Sequence, residues 1–470
     1  MDDNYALFRD ATIMSASTAL VIGLSFISKP LLARLLGPDG YGTFALLLGT
    51  AVFIQAAVLS FIQNGFDYHA PRNVRKINSL FYSEALGTLA LFLLAAAPAY
   101  FLLQPASGLT PLQFGFAFAS AAAIALFNLC LFYYRAKQDF KRMALLNSAF
   151  ALTGFAVVLA AAFATGDGTT VFLCRAFATA GIALLVIAFA IPRARASLAW
   201  IKKFVSFSLP LVIPGVVIPL SSIVDRYSLA SLASVAAAGV YDISYSLATV
   251  ALTFSSALTT VLAPKISANR DKAPVFLSKT SLVLTLVLCA CSIAMFYYSD
   301  LVSNLVLGPG YASSNEILRL ISLAVPIMGL SGVCVTTLVM TKNPRLAALV
   351  TTVQVVLFAA LNWALVPTYQ GTGAALALLL SNIVITTILI WHLEKTVHKG
   401  IFLQSGKNYV VFLVACAPFL LAPQLFGFAL KTCVILAFYA FLYQTNKTTA
   451  RELARNAFRI LAACRARIKL

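Results

Sequence analysis

From residue 12 to residue 445 the chain keeps returning to one pattern, an apolar run of about twenty residues, long enough to cross a hydrocarbon core, closed by a short polar break. The runs read as 12–33, 41–64, 80–103, 111–134, 143–165, 169–191, 205–229, 236–263, 276–298, 317–341, 345–366, 371–392, 408–426 and 428–445. In lipid every backbone N–H and C=O has to be satisfied internally, so a spanning run is a helix or a strand of a closed barrel. The in-and-out alternation of barrel strands is missing here. The expected fold class is therefore all-α, a polytopic membrane protein of about fourteen transmembrane helices. Composition agrees: 61% of the residues are hydrophobic and 10% charged, against about a quarter charged in soluble domains.

Cytoplasmic loops of membrane proteins gather Lys and Arg, so a correct segmentation puts basic residues in every second connection. Even-numbered connections carry Arg72, Arg75 and Lys76; Arg135, Lys137, Lys141 and Arg142; Arg193, Arg195, Lys202 and Lys203; Lys265, Arg270, Lys272 and Lys279; Lys342 and Arg345; Lys395, Lys399 and Lys407. The opposite connections hold only Arg34, Arg226 and Lys431. With Arg9 and the basic tail, 28 of the 34 Lys and Arg residues fall on one side. That places both termini in the cytoplasm and makes the number of helices even. It also accounts for the net charge of +19 without nucleic acid as a partner.

The first run contains Lys29-Pro30 and lacks a small-residue cleavage pattern, so it reads as a permanent helix and not a removed signal. The eight cysteines stand singly in apolar runs, apart from Cys289 with Cys291 and Cys464 in the tail. Such spacing suits neither a metal cage nor a disulfide framework, and no metal or cofactor is expected. His392 and His398, six apart at a helix end, are not at ligand spacing. There is no GxxxxGK[ST] phosphate loop, so nucleotide hydrolysis is not expected either.

A basic linker, residues 191–203, follows the sixth run, and the next segment repeats features of the first. Arg34-Leu-Leu-Gly-Pro-Asp-Gly-Tyr41-Gly42 opens the second helix, while Asp225-Arg226 followed by Ala238-Gly239-Val-Tyr241 opens its counterpart. The organisation expected is a six-helix lobe over 1–197, a second over 198–399, helices 13 and 14 over 400–446, and a basic tail over 447–470. Because six is even, the lobes would be parallel repeats enclosing a central cavity. In the tail, Leu453, Ala457, Ile460, Leu461, Cys464 and Ile468 share one helical face beside Arg451, Arg455 and Arg459, a pattern for a helix lying on an anionic leaflet.

The stretch Ala33-Arg34-Leu-Leu-Gly37-Pro38-Asp39-Gly40-Tyr41-Gly42 resembles the hallmark near the start of the polysaccharide repeat-unit flippases, the O-antigen and exopolysaccharide branch of the multidrug/oligosaccharidyl-lipid/polysaccharide exporter superfamily. Leu307-Gly308-Pro309-Gly310-Tyr311 with Leu318-Arg319-Leu320, and the segment from Leu365-Val366-Pro367 through Gly371-Thr372-Gly373 to Ala377, look like two more stretches of that family in the expected order. The resemblance covers residues 5–395, and the last two helices look like an optional pair of some members. Asn343 and Gln370 stand where glycine is expected, which bears on the turn geometry at those points. The resemblance implies transport of undecaprenyl-diphosphate-linked oligosaccharide from the cytoplasmic to the periplasmic leaflet of a bacterial inner membrane, by alternating access, for surface polysaccharide biosynthesis. The partners it implies are that lipid-linked substrate, membrane lipids, and the polymerase and chain-length machinery.

A basic side chain at mid-bilayer costs roughly 2.5–3.5 kcal/mol on insertion scales, so each one calls for a partner. Lys29, Arg34, Arg175 and Arg226 are the expected lining of a cavity for the diphosphate, because ammonium and guanidinium groups make charge-assisted bonds to phosphate oxygens. The competing reading has Lys29, Arg34 and Arg226 snorkelling to headgroups and Arg175 pairing with Asp167 or Glu84. Asp242, Asp225 and Glu84 are the candidate coupling or pairing carboxylates. Pro210, Pro214 and Pro219 in helix seven, and Pro30 at the matching place in helix one, are the candidate hinges.

Three other functions fit parts of the pattern: a cation-coupled exporter of drugs or metabolites from the same superfamily, a lipid II flippase, and a membrane glycosyltransferase or polymerase. Excess basic over acidic intramembrane residues argues against the first. The second differs only in the sugar. An enzyme would need a sizeable outer loop carrying catalytic acids or bases, and the longest outer loops, around 299–316 and 225–238, offer only Asp300, Glu316 and Asp225.

Overall fold

The computed structural model describes residues 3–268, 273–340, 344–396, 400, 402–421 and 427–447. Arg270, Lys272, Lys342, Asn343, His398, Lys399 and the tail from residue 448 onward, with the amphipathic face expected there, lie outside the described residues. Among the described residues all regular structure is helical: α1 (Asp3–Ser60), α2 (Gln63–His69), α3 (Ile77–Ser107), α4 (Pro111–Ala136), α5 (Phe140–Thr165), α6 (Gly168–Phe189), α7 (Leu198–Ser208), α8 (Val212–Ser221), α9 (Val224–Leu232), α10 (Val235–Ala248), α11 (Leu252–Ala268), α12 (Ala273–Tyr297), α13 (Ser299–Val302), α14 (Ser314–Met340), α15 (Pro344–Thr396), α16 (Leu403–Leu421) and α17 (Phe428–Thr445). Among the described residues, ten helical stretches are long and apolar enough to cross a membrane. Two of them, α1 and α15, each join two spans across a single non-helical residue. Counting these twice, and adding the broken α7–α9 and α16, returns about fourteen spans.

The two junctions show where turn chemistry was readable and where it was not. In α1 the break falls at Gly37, with φ +66°, a left-handed value that a residue without Cβ takes at little strain. Pro38 then supplies a preset φ for the next helix. In α15 the break falls at Gln370, with φ +48°, the very position where the sequence departs from the expected glycine. A left-handed conformation strains a residue carrying Cβ by roughly 1–2 kcal/mol. Glycines at 371 and 373 do not relieve it, because the positive φ is at 370 itself.

Prolines act as their positions dictate. Pro210 sits in a short 3-10 turn, Leu209–Leu211, between α7 and α8, and Pro219 precedes the break between α8 and α9. Pro214 is the third residue of α8, in the first turn, where the missing N–H has no helical acceptor and nothing breaks. Pro30 lies within a helix that continues through it, so in the first helix the interruption is at Gly37, seven residues on, and not at Lys29-Pro30. Elsewhere the helices end by ordinary capping. Thr110 and Gln113 form a capping box at α4, Asp139 and Asp167 cap α5 and α6, and Gly108 and Gly166 close α3 and α5 in left-handed conformations.

Contacts group the chain into two units. The first takes in Met1–Leu247, Ser303–Ile317 and Thr351–Ala377, so it contains the expected first lobe whole together with residues 198–247 and two shorter pieces from further along. In it, α1 packs on α4, α5 and α6, and α3 packs on α4, α7 and α9. The Gly-Pro-Asp-Gly-Tyr turn and its partial echo near residue 239 pack against one another. A Cβ placed on Gly239 would collide with the Pro38 carbonyl oxygen and come within 2.7 Å of the Gly42 nitrogen. Contacts this close between backbones are open only to glycine. The same turn meets the second family-like stretch: Tyr311 Oη donates to the Ala33 carbonyl at 2.9 Å, and Pro38 Cδ lies 3.6 Å from the Cβ position of Gly310.

The second unit takes in Ala248–Val302, Leu318–Val350 and Leu378–Leu470. Its core is aromatic, with Phe296, Tyr297, Phe412, Phe419 and Phe438 buried where α12 meets α16 and α17. Tyr297 Oη donates to the Ala415 carbonyl at 2.6 Å and Tyr439 Oη to the Ala290 carbonyl at 2.8 Å, so the last two helices are tied to α12 by polar bonds within an apolar contact. Arg319 is satisfied here. It bonds Ser299 Oγ at 2.9 Å and pairs with Asp300, whose other oxygen takes Lys431 Nζ at 2.9 Å.

Candidate functional site

In the first unit, charged side chains from α1, α9 and α10 gather around Asp242. Its Oδ1 accepts Arg226 Nε at 2.6 Å, its Oδ2 accepts the Tyr41 hydroxyl at 2.9 Å, and the pair is nearly dry, with Arg226 15% and Asp242 6% exposed. Removing two charges from water costs several kcal/mol per ion, and an ion pair offsets this only when its remaining lone pairs and protons are also bonded. Tyr41 meets that requirement. Arg226 donates further to the Ser222 carbonyl, and the neighbouring Asp225, also buried, accepts the Arg226 backbone N–H at 2.8 Å with Tyr241 beside it.

Lys29 approaches the same group from α1. Its Nζ donates to Ser246 Oγ at 2.7 Å, one turn along α10 from Asp242, and Asp242, Arg226 and Arg175 are all within electrostatic reach. Lys29 and Arg175 line one cavity of about 160 Å³, with Ser25, Ser28, Phe150 and Phe155 among its walls. Arg175 comes from the second turn of α6. Neither Asp167 nor Glu84 pairs with it: Asp167 bonds Thr170, and Glu84 has no bonded partner. Among the described residues the Arg175 guanidinium meets no carboxylate and no hydrogen-bond acceptor. Arg226 and Lys29 thus face Asp242, whereas Arg175, on the cavity wall beside Lys29, faces neither carboxylate.

The four basic residues singled out in the sequence thus separate. Lys29 and Arg175 reach the cavity. Arg226 is close by but held by Asp242. Arg34 is exposed and donates to the Leu305 carbonyl, away from that cavity. Of the three carboxylates, Asp242 and Asp225 belong to the cluster, whereas Glu84 lies on α3 outside it. Tyr41 and Ser246 were missed. Tyr41 read as part of a turn, and its partner Asp242 stands 201 residues away. The available signal was the repeated Gly and Tyr of the two turns, which points to a shared location and says nothing of a hydroxyl aimed at a carboxylate.

The fold and this buried cationic cluster define the class, a multi-pass membrane protein built like known flippases and multidrug transporters. A lipid II flippase, MurJ, in an inward closed conformation superposes with a TM-score of 0.73 at 15% identity, over 92% of this chain and 99% of that one. A multidrug resistance MATE transporter of the MOP superfamily in its inward-facing conformation gives 0.54 at 14% identity, over 81% and 95%. A mutant of the MATE transporter VcmN of Vibrio cholerae gives 0.54 at 15% identity, over 85% and 98%. Comparison with curated proteins finds no match. The sequence profile of the polysaccharide biosynthesis protein family matches residues 7–270, more than half of the chain, and the protein belongs to that family.

Proposed function

We propose that this protein flips undecaprenyl-diphosphate-linked oligosaccharide repeat units from the cytoplasmic to the periplasmic leaflet of a bacterial inner membrane, with both termini in the cytoplasm, by alternating access between the lobes 1–197 and 198–399. The observation that carries the reading is the unpaired Arg175 guanidinium lining a cavity with Lys29. An Arg left without an acceptor so deep in a helix is unfavourable unless an anion completes it, and diphosphate oxygens suit a guanidinium fork beside an ammonium. Arg226 serves in a second rank, released to the diphosphate only if Asp242 gives it up. Arg34 meets the substrate nearer the rim. Family membership and charge both favour an anionic lipid-linked sugar over the small cations of a drug exporter. Outward movement of about two negative charges is helped by an inside-negative potential, at roughly 2.3 kcal/mol per charge per 100 mV. Delivery to a polymerase and chain-length machinery on the far side completes the role.

The test is deletion of the gene followed by extraction of lipid-linked oligosaccharides. Loss of surface polysaccharide with accumulation of undecaprenyl-linked sugar shielded from a periplasmic probe is expected. Unchanged polysaccharide with sensitivity to a toxic small molecule would refute the reading and support an exporter. The higher TM-score against the lipid II flippase favours lipid II as the second substrate to examine. Arrested growth with intracellular lipid II and normal surface polysaccharide would select it.

A further inference from the structure

Glu84 differs from the other two carboxylates singled out in the sequence. It lies in the second turn of α3, 0% exposed, and neither carboxylate oxygen meets a donor among the described residues. Asp242 has Arg226 and Tyr41, and Asp225 has the Arg226 backbone N–H. One turn beyond Glu84 on the same face, the Thr88 hydroxyl is also buried and unbonded. On α2, Gln63 has both amide atoms buried and unbonded, and the preceding residue, Ile62, places Cδ1 2.5 Å from the Cβ position of Gly87 on α3. A carboxylate closed off from water with no donor costs several kcal/mol as an ion, far more than as a neutral acid.

The charged groups facing Glu84 are Asp67 of α2 and Arg135 of α4, and they are bonded to each other. No charged side chain from α1, α7 or α9, which also pack on α3, reaches it among the described residues. Two short helices pack over the start of α3. α2 has seven residues and α7 eleven; Gly65 N–H to Ser208 Oγ at 2.9 Å and the packing of Phe66 on Phe204 join them to each other, while Ser197 N–H to Ser83 Oγ at 2.8 Å and Ser79 Oγ to the Arg195 carbonyl at 2.7 Å tie the segment before α7 to α3. The 3-10 turn at Pro210 follows α7 directly, so the covering helix ends at a break in its own span.

We propose that Glu84 is a proton-carrying site. It holds a proton while α2 and α7 are packed over the start of α3. When these helices part from α3, the carboxyl O–H bond breaks, the proton passes to water, and Arg135 stands within reach of the new carboxylate. Repacking requires the proton to return, so proton exchange is tied to the conformational cycle. The proposal takes from the flippase reading only that the protein alternates between conformations, and its test involves no transport substrate.

The test is infrared spectroscopy of the full-length protein in liposomes, titrated from mildly acidic to mildly alkaline pH, with circular dichroism to show that the helices persist. Glu84→Gln keeps the shape of the protonated side chain and is expected to fold. The native protein should show the C=O band of a buried protonated carboxyl that is lost reversibly as pH rises, returns on acidification and is missing from Glu84→Gln. Identical native and Glu84→Gln spectra would overturn the proposal. So would a Glu84 band that keeps full intensity at every pH where the protein stays folded, which marks a static acid. Loss of the band on replacing choline by sodium at constant pH would overturn it in favour of a sodium site.

Discussion

Replacement of Asp242 by Asn probes the centre of the cluster. The side-chain oxygen remains to accept the Tyr41 hydroxyl, but the charge facing Arg226 and Lys29 is gone. Arg226 is only 15% exposed, so water cannot replace the lost partner. Breaking a buried pair by removing one member costs about 3–5 kcal/mol, because the other charge stays behind uncompensated. Asp242→Asn should therefore lower the thermal midpoint of the detergent-purified protein and its abundance in membranes. Arg226→Gln in the Asp242→Asn background removes the stranded charge and should recover part of the loss, with a coupling energy of about 1–3 kcal/mol in the double-mutant cycle. The reasoning is refuted if Asp242→Asn is as stable as the native protein, or if the double variant loses the sum of the two single losses.

On the proposed reading, Lys29→Gln and Arg175→Gln each remove a charged partner for the diphosphate, worth about 1.5–3 kcal/mol. Surface polysaccharide export should fall roughly ten- to a hundredfold at normal protein abundance, and full export in both variants would exclude the cavity as the substrate site. Gln370→Gly relieves the left-handed strain and should raise stability by about 1 kcal/mol, read as a higher unfolding midpoint, whereas Gln370→Ala should give no gain. Asp167 caps α6 between two spans. Burial pushes its carboxyl up, and the bonds from the Thr170 hydroxyl and the Thr170 and Thr169 backbone N–H groups outweigh this and hold it below the ordinary carboxylate value. A depressed value in the folded state means stability fully present above the ordinary carboxylate range and lost as pH falls through the lowered value. Asp167→Ala should cost about 1 kcal/mol at neutral pH and flatten the acid limb of the stability curve, and an unchanged acid limb would count against the cap.

Sequence alone was sufficient for the all-α membrane class, the order of about fourteen spans and the family, because each rests on local quantities. Apolar run length decides what can span a bilayer, charge in alternate loops marks sidedness, and Gly-Pro turns specify backbone angles at neighbouring residues. Gln370 shows the limit of that logic, since the missing glycine marked the turn correctly but packing imposed the left-handed conformation on glutamine. Helix depth set Lys29 and Arg175 apart from Arg34 and Arg226, which fall near the outer ends of their runs, but depth did not give partners: Arg226 is neutralised by Asp242, Arg34 is exposed, and Lys29 and Arg175 line one cavity. Likewise Asp225, Asp242 and Glu84 differed in the sequence only by depth along their helices, and it is the fold that bonds the first two and closes Glu84 away unbonded among the described residues. The state of a buried charge is set by what lies within a few ångströms, and here those neighbours come from helices up to 217 residues apart, as Lys29 and Ser246 are. Helix positions are written in local pattern, but the pairing of charges across helices is decided only when the helices pack.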